Sequence, residues 1–174
     1  LPDLAFISLG SNIDPEFHLP EAVSRLDAVG HVVRVSSAYR NPAVGPVPQP
    51  EFVNAAALVE TSLSALEIRR TLRKIEADLG RVRQPDKYAP RVIDLDLCYL
   101  GELDEELDGW TVPDRQADRL PHLAIPLAEL MPEFHHPRTG ETLEAIAKRL
   151  SPQSRLRADS SIALAAPGRP LEGG

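Results

Sequence analysis

The stretch Tyr88-Ala89-Pro90-Arg91-Val92-Ile93-Asp94-Leu95-Asp96-Leu97 constrains this chain most, because it sets two carboxylates inside an otherwise apolar strand. Strand side chains alternate faces, so Asp94 and Asp96 project together while Ile93, Leu95 and Leu97 point the other way. The apolar side demands a packed layer behind it. The acidic side is costly, since like charges repel and Asp is a poor strand former. A divalent cation would offset that placement directly. Just upstream, Arg81, Arg83, Lys87 and Arg91 supply four cations against the single acid Asp86. Carboxylates beside guanidinium groups are a means of holding magnesium and a polyphosphate side by side. A salt-bridged strand edge is the plainer reading of a lone Asp-x-Asp pair; the basic loop weighs against it here.

The remaining punctuation fixes an element order. Residues 4–9 form an apolar run closed by Gly10-Ser11-Asn12 and read as a buried strand. Asp14 followed by Pro15 reads as an N-cap with a first-turn proline, Leu19, Val23 and Leu26 share a helical face, and the helix proper is expected to begin near Pro20. A second strand is expected over 31–39. Residues 40–51 hold Pro42, Pro46, Pro48 and Pro50 and predict a stiff extended loop without a regular element. Phe52–Thr61 reads as a third strand. Ser64 with Glu67 forms a capping box ahead of Leu66, Ile68, Leu72, Ile75 and Leu79, and Gly80 closes that helix. The strand 93–100 follows. This order predicts an α+β, ferredoxin-like βαββαβ antiparallel sheet with two helices on one face. Beyond Gly101, the acids Glu102, Asp104, Glu105, Glu106 and Asp108 predict a solvated turn. Trp110–Val112 predicts a short strand, 126–130 a helical turn and 142–150 a short amphipathic helix. One domain over 1–158 is expected, with a flexible tail over 159–174.

A chain of 174 residues can bury a core unaided. Its net charge of −7 argues against nucleic-acid or anionic-membrane binding, so the basic loop stands out as a local anion site. The one cysteine, Cys98, excludes an internal disulfide and reads as a small buried residue. With no membrane-length apolar run and no signal pattern, the cytoplasm is the expected compartment.

Five blocks carry a resemblance to the 6-hydroxymethyl-7,8-dihydropterin pyrophosphokinase family: Gly10-Ser11-Asn12, Tyr39-Arg40-Asn41-Pro42, Phe52-Val53-Asn54-Ala55, Gly80-Arg81-Val82-Arg83 and Pro90-Arg91-Val92-Ile93-Asp94-Leu95-Asp96. The likeness runs on through Thr111-Val112-Pro113 to Pro126-Leu127 and covers roughly 4–150. It implies the same ferredoxin-like fold and transfer of a diphosphate from ATP to a pterin's hydroxymethyl oxygen, releasing AMP. Such a reaction is mainly positioning and charge neutralisation.

By that resemblance Asp94 and Asp96 would hold two magnesium ions, and one or the other would accept the substrate's proton. Arg81 and Arg91 would bind phosphates, with Arg83 and Lys87 helping from a mobile loop. Arg73, Glu76, Leu97 and Thr111 would line the nucleotide site. Asn54 would read the pterin edge, since an amide both donates and accepts. Phe52 and Tyr88 would flank the ring, Tyr88 also serving the nucleotide side. Asn41, Pro42 and Val44 would complete the pocket. ATP and a hydroxymethyl-dihydropterin are then the partners of a monomer or weak homo-oligomer.

The departures fall in one segment. Counting without gaps after Pro113, this chain has Asp114 where the family usually has His, Leu120 for Arg and His122 for a ring-stacking Phe. They leave open the same chemistry on a related pterin outside ordinary folate synthesis. A non-catalytic ferredoxin-like binding module is the remaining alternative, although a binder has no need of paired carboxylates with Arg81 and Arg91.

Overall fold

The computed structural model describes residues 2–168. Its main sheet runs β5–β1–β4–β3–β8, with β2 also paired to β4, and every pairing is antiparallel. The strands are β1 (Asp3–Ser11), β2 (His31–Val35), β3 (Tyr39–Asn41), β4 (Phe52–Thr61), β5 (Asp94–Leu100) and β8 (Arg157–Ala158). The helices are α1 (Pro15–Arg25), α2 (Ala65–Asp78), α3 (Pro121–Leu130) and α4 (Leu143–Leu150). A separate hairpin joins β6 (Glu105–Leu107) to β7 (Trp110–Val112). This is the expected α+β, ferredoxin-like order.

Alternation along the strands builds two cores. Ala5, Ile7 and Leu9 of β1 and Val53, Ala57 and Val59 of β4 meet α1 and α2 on one face. Phe6 with Ala56 and Leu58 meets Ala124, Leu127 and Leu130 of α3 and Ile146 of α4 on the other. Each large aliphatic side chain so buried contributes about 1.5–3 kcal/mol. The sheet is thus covered on both faces, the second pair of helices coming from beyond β5.

The α2 capping box forms as expected: the Glu67 N–H donates to Ser64 Oγ at 3.2 Å and the Ser64 N–H to Glu67 Oε2 at 2.8 Å. Gly80 follows that helix at φ 96°, a left-handed turn that favours glycine. Other elements differ from expectation. Helix α1 starts at Pro15 and passes through Pro20; the lost backbone bond is offset by Leu19, Ala22, Val23 and Leu26, all buried. Asp14 makes no side-chain cap. Its backbone is left-handed at φ 45°, and its carbonyl accepts from the N–H groups of Phe17 and His18.

The strand expected over 31–39 is two strands, broken at Ser36, whose N–H and hydroxyl turn to bond the backbone of Ala56 and Ser37. Consequently Arg40 and Asn41 belong to β3 rather than to the proline-rich loop. The acidic stretch is a β-hairpin because Glu106 pairs with Thr111, and α3 begins five residues before Pro126. Strand β8 closes the outer edge of β3, and Ile162 beyond it is buried in the α1/α2 core with Leu164 and Ala166 packed alongside. Part of the expected tail, 159–168, therefore packs on the domain; 169–174 lie outside the described residues. No described helix is long and apolar enough to cross a membrane.

Candidate active site

Strand register sets the floor of the site. Asp94 lies opposite Gly10 and Asp96 opposite Ser8 on β1, while Gly10 on its other side faces Asn54 of β4. Both carboxylates and the amide therefore rise from the α3 face of the sheet, and Ile93, Leu95 and Leu97 are buried on the opposite side. A Cβ on Gly10 would stand 3.1 Å from Asn54 Nδ2, so that amide would have to give by a few tenths of an ångström. Asn54 is 7% exposed, and its amide oxygen has no partner among the described residues. A buried acceptor left unpaired is costly, so this one is poised for a donor that is not part of the chain.

The acidic floor is gripped by arginines, and a buried acid organises them. Glu76, on the inner face of α2, is 2% exposed. Its Oε1 accepts from Arg73 Nη1 at 3.0 Å and Arg83 Nη2 at 3.1 Å; its Oε2 accepts from Arg81 Nη1 at 2.6 Å and from the Leu95 N–H at 2.8 Å. Arg81 also reaches Asp94 Oδ1 at 2.8 Å, and Arg91 reaches Asp94 Oδ2 at 2.9 Å. Arg73 touches Asp96 Oδ1 at 3.4 Å. Charge-assisted bonds of this kind fix each guanidinium fork in place.

Environment pushes the two aspartates apart. Burial alone would raise Asp94, but the Arg81, Arg91 and Arg73 guanidiniums hold its carboxyl below the ordinary range. Among the described residues Asp96 forms an ion pair only with Arg73, at 3.4 Å, so burial and then the charge of Asp94 push it up to about 6. Its side chain is 40% exposed, which lets water screen part of that penalty. Asp114 is raised by burial with help from Asp94, and burial lowers His122.

Two cavities meet at Asp96. The smaller, of about 190 Å³, is lined by Asn41, Pro42, Val44, Phe52, Asn54 and His122, together with Lys87, Tyr88, Arg91 and both aspartates. All six residues expected around the pterin thus converge from three separate segments, 41–44, 52–54 and 122. The larger, of about 300 Å³, is lined by Arg73, Leu97 and Thr111, with Arg69, Trp110, Asp114 and Arg115. A third hollow, of about 240 Å³, lies within the basic loop between Arg81, Arg83, Lys87 and Arg91.

Some sequence expectations shift. Tyr88, expected both at the ring and on the nucleotide side, lines the smaller cavity, and Lys87, expected at the phosphates, lines it too, with its Nζ 4.9 Å from the Tyr88 ring. Glu76 sits beneath the arginines instead of facing an open cleft. The Thr111 hydroxyl donates to the Pro113 carbonyl at 2.8 Å, so its side chain is already engaged.

Several contributors escaped sequence reading. Arg69 stacks 4.5 Å above the Trp110 ring in the larger cavity. Asn12 Oδ1 accepts from the Arg91 N–H at 2.7 Å, and its Nδ2 donates to Gln49 Oε1 at 2.7 Å. Gln49 Nε2 in turn donates to the Tyr88 carbonyl at 2.7 Å. That chain ties the glycine turn, the proline-rich loop and the basic loop together. The one sequence signal for it is that Asn12 belongs to the Gly10-Ser11-Asn12 turn that carries part of the family resemblance.

Among the described residues no three His, Cys, Asp or Glu side chains converge as a metal cage. Asp94 and Asp96 still suit magnesium, a hard cation held by one or two carboxylates with water and phosphate oxygens completing the shell.

Residues 6–132 match the family model described as 7,8-dihydro-6-hydroxymethylpterin-pyrophosphokinase. The chain is 40% identical to a 2-amino-4-hydroxy-6-hydroxymethyldihydropteridine pyrophosphokinase of Methylorubrum extorquens over 151 residues, 83% of this chain and 92% of the relative. To the protein of that name from Synechocystis it is 39% identical over 142 residues, 80% of this chain and 72% of the relative. Among solved structures it resembles a Plasmodium falciparum HPPK-DHPS crystallised with pterin and p-hydroxybenzoate, at a TM-score of 0.72 and 12% identity. That overlap covers 88% of this chain but 44% of the Plasmodium chain, and at such low identity it speaks for the fold alone.

Proposed function

Because the chain belongs to the 7,8-dihydro-6-hydroxymethylpterin-pyrophosphokinase family, we propose that it transfers a diphosphate from ATP to the hydroxymethyl oxygen of 6-hydroxymethyl-7,8-dihydropterin, releasing AMP for folate biosynthesis. The observation that carries this reading is Asp96 on the wall shared by the two cavities. A donor and an acceptor lodged on either side would meet over one carboxylate edge.

In this reading the smaller cavity takes the pterin. Asn54 supplies the unpaired amide oxygen to a ring N–H, and its amide group can donate to a ring acceptor. Phe52, Tyr88 and His122 border the flat ring, and Asn41, Pro42 and Val44 close the outer wall. The larger cavity takes the nucleotide, with Arg73 and Arg115 toward the phosphates and Trp110 and Leu97 offering apolar surface to the base. Arg81, Arg91, Arg83 and Lys87 carry the positive charge that faces the transferred group, and Glu76 keeps Arg73, Arg81 and Arg83 aimed.

Asp94 and Asp96 would hold magnesium, two ions by family resemblance, which when bound neutralises phosphate charge and polarises the group in transfer. Without that positive charge, two close carboxylates would repel a triphosphate. The chain's own part is to fix both substrates in line and exclude water between them.

The direct test is to mix the protein with ATP, magnesium and the pterin and to follow AMP. Pterin-dependent AMP release is expected. ATP left intact in the presence of pterin would contradict the reading.

A further inference from the structure

The segment following α4 lies beyond residue 132, where the family match ends, yet it grips the loop that walls the smaller cavity. Strand β3 is three residues long. One edge pairs with β4, setting Asn41 opposite Phe52; the other pairs with β8, setting Arg40 opposite Arg157. Both roots of the proline-rich loop are then tied to this same segment by opposite charges. At the entry, Arg40 Nε donates to Asp159 Oδ2 at 2.5 Å, while its Nη2 reaches Glu16 at 3.2 Å. At the exit, Arg157 pairs with Glu51, the residue before Phe52.

Asp159 is itself well fixed. Its N–H donates to the Ala38 carbonyl at 2.9 Å, and its carboxylate accepts from the N–H and hydroxyl of Ser161. Ile162, 5% exposed, anchors the segment in the core. Few of these contacts contribute much singly, and the exposed Arg157–Glu51 pair least. Together they bracket one loop from both ends.

We propose that residues 157–162 are a positioning strap for the pterin cavity, an inference that rests on the diphosphate-transfer reading. The strap holds the two roots of the loop so that Asn41, Pro42, Val44 and Phe52 already face the ring. Freed at its roots, the loop would sample more conformations, and pterin binding would have to remove them. The nucleotide cavity is built from α2, β5, β7 and the residues after it, so the effect falls on one substrate.

The test measures dissociation constants for the pterin and for a non-hydrolysable ATP analogue separately by calorimetry, alongside melting temperature. Asp159→Ala should weaken pterin binding about threefold to fivefold, the range of a partly buried ion pair, and leave nucleotide binding unchanged. Arg157→Glu should weaken pterin binding about twofold, and adding Glu51→Arg should restore it by reversing the pair. Variants that keep wild-type pterin affinity would overturn the strap. So would affinities for both substrates falling together with melting temperature, which would make the segment merely structural. A wild-type chain that bound no pterin would overturn the strap and the parent reading at once.

Discussion

The two cavities that meet at Asp96 are built by different means. The larger is charged, with Arg69, Arg73 and Arg115 in its wall, and one buried acid on a helix, Glu76, fixes Arg73 there, Arg81 and Arg83 in the basic loop, and the backbone of Leu95. The smaller draws its walls from β1, β4, β5, the start of α3 and two loops, and its distinctive feature is an amide oxygen left without a partner among the described residues. One side is organised by satisfied charge, the other by an unsatisfied polar group and shape. That contrast suits a polyanion on one side and a flat heterocycle on the other. It also implies that substitutions should separate the two substrates, except at the aspartates between them.

The largest effect is expected where the cavities join. Asp94→Ala or Asp96→Ala should cut turnover by about 10²–10³ or more while the fold survives, because each removes an electrostatic anchor for the transferred group and also relieves repulsion. Near wild-type turnover in either variant, measured by AMP release, would break the account at its centre. Next comes Glu76→Ala. Removing the buried acid takes a partner from three guanidiniums and leaves the buried Leu95 N–H without its acceptor, which should cost about 3–5 kcal/mol in denaturant unfolding. In whatever folds, nucleotide affinity should fall more than pterin affinity; the reverse ranking would undo the comparison.

On the other side, Asn54→Ala should weaken pterin binding by about 1–3 kcal/mol, with nucleotide affinity untouched. Titration of each substrate alone checks this, and equal losses for both would deny Asn54 its place at the ring.

The two aspartates also respond differently to pH. The folded Asp96 carboxyl titrates near 6, above its ordinary 3.8, so its ionised form opposes folding. The penalty is full above about 6, shrinks as pH falls through that value, and vanishes below the unfolded value. Asp96→Asn should therefore stabilise the free protein at pH 7–8, by about 1 kcal/mol after allowance for solvent screening, and the gain should fade by pH 4. A gain that grew toward acid pH would reverse the sign. Asp94 should behave oppositely, since its arginines hold it low: its contribution is present at neutral pH and lost only as pH drops through its depressed value.

The smallest effect concerns His122. Burial lowers its titration, so it is neutral at pH 7 and can lie flat against a ring. His122→Phe should keep pterin affinity within about 1 kcal/mol, the scale of an aromatic contact. It should also remove the share of any acid-pH loss of pterin binding that comes from charging His122. A change in nucleotide affinity instead would move His122 to the other cavity.

Much of the floor was legible in sequence because it is local. Alternation in residues 93–97 declared which way Asp94 and Asp96 face, Phe52–Thr61 read as a strand from end to end, and the Ser64–Glu67 box announced α2. What stayed hidden depends on distant partners. Glu76 looks like any helix acid until Arg81, Arg83 and Leu95 fold onto it. Strand β6 is an acidic run that becomes a strand only against β7, and β3 hides at the edge of a proline-rich stretch until β4 and β8 pair with it. Prolines inside α1 and α3 masked the extent of both helices, since local preference there is overruled by burial. Asn12 and Gln49 carry no pattern at all; their pairing links residues far apart in the chain.

The central claim is that one carboxylate edge serves both cavities and passes two phosphates across at once. Phosphorus NMR of a turnover mixture tests it most directly, using the protein with ATP, magnesium and 6-hydroxymethyl-7,8-dihydropterin. The β and γ phosphorus of ATP should appear together on the pterin, with the α phosphorus on AMP, in equal amounts. Formation of ADP with a singly phosphorylated pterin would contradict it, because attack would then fall on the γ rather than the β phosphorus.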